Sequence, residues 1–117
     1  MRHDYSRACR QGDVILVPVE LDVTETPEPI VADDGTTLRG FRHVGEGGAH
    51  AHVIERATPV RVGQTDLLRI DDPELLRHIA IRQRADAPHA DIALEPGYYE
   101  PRIQRVWSPG RRLRFAD

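Results

Sequence analysis

The sequence predicts a mainly β fold, a small single-domain barrel or sandwich with room for one short helix. Three observations carry this. Apolar residues recur in short alternating runs, as in Val60-Arg61-Val62 and Ile92-Ala93-Leu94, and alternation puts them on one face of a strand. Residues 14–19 are dense in β-branched side chains, which favour a pleated, half-buried surface. Glycine and proline punctuate the chain at Gln11-Gly12-Asp13, Asp34-Gly35, 45–48, Gly63, Pro96-Gly97 and Ser108-Pro109-Gly110, as in proteins of many short strands.

Residues 1–10 are polar and without period, and read as a flexible arm or an edge; residues 11–117 read as one β-rich domain. The turn at Gly12 leads into a strand over 14–21, where Pro18 cannot donate a ladder hydrogen bond and favours an edge or a bulge. Asp34-Gly35 suits a hairpin turn joining Ile30-Val31 to 38–41. Residues 49–55, 59–62 and 67–70 read as strands. Asp72-Pro73-Glu74 can open a helix, with Asp72 as N-cap and Leu75, Leu76 and Ile79 on one face. The alternation of Ile79 and Ile81 supports strand and turn equally, so both readings stay open. Residues 98–107 form a long strand, and 112–115 a short one. The expected core is Val14, Leu16, Val53, Val60, Val62, Leu68, Ile92, Leu94, Ile103 and Val106.

A chain of 117 residues fits one domain. Its single cysteine, Cys9, allows no intramolecular disulfide and no zinc–thiolate cluster. No apolar run approaches the roughly 20 residues that span a bilayer, and no signal peptide is evident, so the expectation is a cytoplasmic protein without a membrane. Net charge is -3, and all 16 basic residues are arginine. Residues 13–38 carry Asp13, Glu20, Asp22, Glu25, Glu28, Asp33 and Asp34 with no base. Residues 101–117 carry Arg102, Arg105, Arg111, Arg112 and Arg114 with only Asp117. Two charged surfaces facing one another, within the fold or across a homodimer, are the expectation. The alternative makes those five arginines anion contacts of a nucleic-acid-binding module.

His50-Ala51-His52 is the sharpest chemical feature. Residues i and i+2 of a strand project to one face, so both imidazoles can turn toward one metal ion. Two ligands do not close a site. His89 is the best distant third, with Asp86 beside it, and Glu55 serves only if a bulge turns it round. Zn, Ni, Mn and Fe all suit such donors. Lysine is absent, which excludes a Walker A loop at 45–48.

Gly48, His50, His52, Glu55 and Gly63 resemble the first cupin motif. That resemblance implies a metal inside a barrel, with oxygenase or isomerase chemistry. Two residues separate His52 from Glu55 where cupins have three or four, and no histidine follows Pro96-Gly97. A resemblance covering most of the chain is to a family of small uncharacterised proteins of phage, plasmid and bacterial genomes. It rests on Gln11, Gly12, Asp13 and Val14, on His50 and His52, on His89, Leu94, Pro96, Gly97 and Tyr99, and on Gln104, Arg105 and Trp107. Ala49 stands where the family has glycine, and Asp86 where it has a second histidine. The resemblance implies no particular activity. The functional expectation is a small non-catalytic accessory or binding protein with a histidine-based divalent metal site. The alternatives are a cupin-like metalloenzyme and the nucleic-acid module; a protein partner is also expected.

Overall fold

The computed structural model describes residues 1–45, 47–82, 89–104 and 115–116. Over these residues the chain forms two antiparallel sheets. The larger holds eight strands: β1 (Arg2–His3), β2 (Cys9–Gln11), β3 (Val14–Glu20), β4 (Glu28–Pro29), β7 (Thr58–Val62), β8 (Thr65–Ile70), β11 (Gly97–Gln104) and β12 (Phe115–Ala116). Their order is β1-β3-β11-β8-β7-β4, with β2 also against β3 and β12 against β11. The smaller sheet holds β5 (Phe41–Val44), β6 (His50–Ile54), β9 (Glu74–Ala80) and β10 (Ile92–Leu94), in the order β10-β9-β6-β5. The mainly β expectation holds. Neither sheet closes on itself among the described residues, so these open sheets are not the barrel that the cupin resemblance implies.

The core lies between the sheets. Val14, Leu16, Leu68, Ile70, Tyr99 and Ile103 of the larger sheet pack with Ile54, Leu76 and Leu94 of the smaller. Alternation sends Val19, Val60, Val62 and Leu67 to the opposite face of the larger sheet, where Met1, Leu21 and Tyr98 pack against them. Of the expected core, Val14, Leu16, Val60, Val62, Leu68, Leu94 and Ile103 are buried, and Ile92 packs at the margin. Val53 is only half-buried, because the core-facing residue of β6 is its neighbour Ile54. Val106 lies outside the described residues.

The short helix at residues 72–79 is absent; this segment is β9, paired on one side with β6 and on the other with β10. Pairing on both edges satisfies the backbone groups that a helix would have satisfied internally. The first residues are edge strands: β1 pairs with the far end of β3 and β2 with its near end, and a single 3-10 turn at Tyr5–Arg7 joins them. Pro18 sits between these two pairings, where only its carbonyl is used, accepting from the Asp4 N–H at 2.9 Å. The expected hairpin is reduced to a bridge between Val31 and Thr37, and Phe41 instead begins β5 in the other sheet.

The strand assignment of β9 separates two adjacent leucines. Leu76 is fully buried and Leu75 is 42% exposed. Leu76→Ala should cost about 2–5 kcal/mol, whereas Leu75→Ala should cost about 0.5 kcal/mol or less. Urea denaturation of both variants checks this; equal losses would restore the helix, in which both leucines share a face.

Candidate functional site

The smaller sheet turns two kinds of row toward the larger one. In the antiparallel register His43 of β5 stands opposite His52 of β6, and His52 stands opposite His78 of β9. The same faces carry Phe41, Ile54 and Leu76, each two residues from a histidine of the row. An apolar row that builds the core thus runs beside a histidine row at its end.

The rings make an array. His52 lies 4.5 Å from His78 and 6.0 Å from His43, centroid to centroid. His50 and His89 stack on His78 at 4.7 and 4.8 Å. Of the residues singled out in the sequence, His50, His52 and His89 are therefore brought together, around a fourth histidine that spacing did not reveal. Glu55 is not among them: it is exposed on the strand's other side, with the Arg77 guanidinium 3.4 Å away. Asp86 lies outside the described residues.

What faces the array is the turn between β2 and β3. Gln11 and His52 are both 2% exposed, and they are bonded to each other: His52 Nδ1 lies 2.9 Å from Gln11 Oε1. The other end of the amide donates to the Leu76 carbonyl at 2.9 Å and the Ala90 carbonyl at 3.0 Å. Two carbonyls can only accept, so the amide nitrogen must face them and the oxygen must face His52. His52 Nδ1 therefore carries a hydrogen. Its other nitrogen, Nε2, lies 3.0 Å from Asp13 Oδ1, and His43 Nε2 lies 3.1 Å from Asp13 Oδ2. Burial pushes the His52 imidazole below its ordinary value, and the Asp13 carboxylate opposes that shift.

His78 is held in the other tautomer. Its Nδ1 accepts the His89 backbone N–H at 2.6 Å, which leaves the ring hydrogen on Nε2. Burial first, and then His52, His50 and His89, push its pKa down to about 4. Gly12 separates Gln11 from Asp13 at φ +58, and a Cβ there would stand 3.1 Å from His52 Cε1. Turn and ring both require the missing side chain. Among the described residues, no group of three or more His, Cys, Asp or Glu side chains is disposed to hold a metal ion as it stands. The Asp13 carboxylate lies between the two histidines instead.

The five arginines do not form a described surface. Arg102 is spent internally, on Glu100 at 2.6 Å and the Tyr5 hydroxyl at 3.0 Å, with its guanidinium over the Tyr5 ring. Arg105, Arg111, Arg112 and Arg114 lie outside the described residues. Glu20 and Asp22 of the acidic stretch pair with Arg2 and the Met1 amine. No helix among the described residues is long and apolar enough to cross a membrane.

Fold and site together define a two-sheet β protein with a histidine row capped by a Gln-Gly-Asp turn. The chain belongs to the family described as a domain of unknown function, DUF8820, whose model matches residues 10–104. No curated protein and no solved structure matches it.

Two outcomes follow. Gly12→Ala, strained in φ and crowded against His52, should lose about 1–3 kcal/mol in urea denaturation; unchanged stability would refute the close approach. His78 contributes through its depressed pKa: the unfolded chain binds its proton near 6.5 and the folded chain near 4. That contribution is full above 6.5 and is lost as pH falls toward 4. His78→Asn keeps an acceptor for the His89 N–H but cannot titrate. Its urea midpoint should therefore fall less than that of the parent between pH 7.5 and pH 5, and an equal fall would remove His78 as a source of the pH dependence.

Proposed function

We propose that the protein is a small, non-catalytic binding protein that takes one divalent transition-metal ion between Asp13, His43 and His52. The observation that carries this reading is the pair of imidazole nitrogens, His43 Nε2 and His52 Nε2, set against the two oxygens of one carboxylate. Two imidazoles and a carboxylate are borderline donors suited to Zn, Ni, Fe or Mn rather than to calcium. The Nε2···O separations of 3.0 and 3.1 Å are close to the distance of about 3 Å between neighbouring ligands that each lie about 2.1 Å from an ion. The ion would lie between the two Nε2 atoms and Asp13, drawing the three side chains onto itself. His50 and His89, stacked on His78, stand close by as further imidazoles. Of the ligands expected from the sequence (His50, His52 and His89 with Asp86 or Glu55), this reading retains His52 and adds Asp13 and His43.

Titration calorimetry with Zn²⁺, Ni²⁺ and Mn²⁺ on untagged protein tests it, alongside elemental analysis of the purified chain. One ion per chain is the expected stoichiometry. Asp13→Asn and His52→Ala should each lose at least tenfold in affinity, while His3→Ala, on the larger sheet, should bind like the parent. Equal binding by Asp13→Asn and the parent would sink the proposal, and no binding at all would leave the array as a hydrogen-bonded brace between the sheets.

A further inference from the structure

Resting on that reading, we infer that Gln11 is the positioning residue of the site. Its amide fixes a hydrogen on His52 Nδ1, so that His52 can meet a cation only through Nε2, on the side of Asp13.

Gln11 is buried, so each of its polar atoms must find a partner within the protein. Gln11 has two amide hydrogens and both are used, on the carbonyls of Leu76 and Ala90. Turning the amide over would set its oxygen against two carbonyl oxygens and its nitrogen against a ring nitrogen. The buried groups thus allow one orientation. The oxygen so presented can only accept, which assigns the hydrogen on His52 Nδ1. A neutral ring then has its lone pair on Nε2, pointing at the Asp13 carboxylate 3.0 Å away. A lone pair against a carboxylate is repulsive until a positive charge lies between them. The arrangement therefore calls for a cation, either a proton or a metal ion, at that point.

The surroundings sharpen the role. The ring of His52 is held between neighbours: a Cβ at position 12 would stand 3.1 Å from its Cε1, and His78 stacks on its face. His78 itself meets the array as a neutral ring whose Nδ1 is occupied by the His89 N–H. Holding the non-ligating nitrogen of a histidine through an amide or carbonyl oxygen is the usual device for orienting a metal ligand, and its loss typically lowers affinity 10–100-fold. Gln11 also joins the two sheets, since β2 carries it while Leu76 of β9 and residue 90 receive its hydrogens.

The experiment reads the tautomer directly. Histidine side-chain nitrogen-15 correlation spectra of the parent protein, recorded with and without Zn²⁺, assign the hydrogen on each ring nitrogen of His52. The expected result is Nδ1–H in both, with a Zn²⁺-dependent shift of Nε2 alone. Gln11→Met removes the acceptor at nearly constant volume. It should lower Zn²⁺ affinity about 10–100-fold and lose the protected Nδ1–H signal. If Gln11→Met does not fold, the spectra of the parent still decide. A parent protein with Nδ1 unprotonated, or with Zn²⁺ on Nδ1, overturns the inference. A parent that keeps the Gln11-dependent Nδ1–H but takes up no Zn²⁺ upholds the positioning role and overturns the metal reading alone.

Discussion

The rest of the structure depends on the way one buried imidazole, His52, is held at both ends. A histidine at the margin of an apolar core is unfavourable unless its polar atoms are satisfied. Here Gln11 takes one ring nitrogen and Asp13 faces the other. Gln11 ends β2 and Asp13 precedes β3 in the opposite sheet, with a glycine between them that leaves room for the ring. The same few atoms therefore lock the hairpin of β2 and β3 onto the middle of the smaller sheet. Hydrophobic packing brings the sheets together without much direction; this polar clasp sets how they meet.

The clasp also explains why the histidines can be so close. Imidazoles this close would repel if charged together, and at His52 and His78 burial disfavours the charged form while a hydrogen bond to Nδ1 fixes the tautomer. The ring of His78 is held neutral well below the ordinary range, and the Asp13 carboxylate supplies the negative charge in reach of His43 and His52. The stacked rings pack as flat, polarisable surfaces that continue the apolar row of Phe41, Ile54 and Leu76. The result is a region with ordered ring nitrogens at the end of a dry core.

Much of the fold was legible because alternation of apolar residues is a local property. Val14, Leu16, Val60, Val62, Leu68 and Leu94 announce their strands without reference to any partner. Residues 72–79 were ambiguous for a physical reason: Leu75-Leu76 and Ile79 satisfy a helical face and a strand equally, and only pairing with β6 and β10 decides. The site was half legible. His50 and His52 stand out by their i, i+2 spacing, but Glu55 was named by proximity in sequence, which a sheet does not respect. His43 was missed because β5 was ended at Phe41, and His78 because its segment had no settled face. A usable signal was present in all three strands: Phe41 with His43, Ile54 with His52, and Leu76 with His78 each pair a core residue with a histidine two positions away. Gln11 and Asp13 were read as turn formers, which they are, while their side chains serve the opposite sheet.

The hydrogen bonds from the Gln11 amide join residues 65 and 79 positions apart in the chain. Contacts of such separation are slow to find, because most of the chain's conformational freedom must be surrendered before they form. On that ground the clasp is expected to close late in folding rather than to nucleate it. Residues 11–13 reach β6, β9 and residue 90 only when the hairpin, the smaller sheet and the chain that follows it have all been placed. A nascent or partly unfolded chain has the histidines but not their arrangement, so an ion bound there, as proposed, would recognise the finished molecule and hold it against reopening.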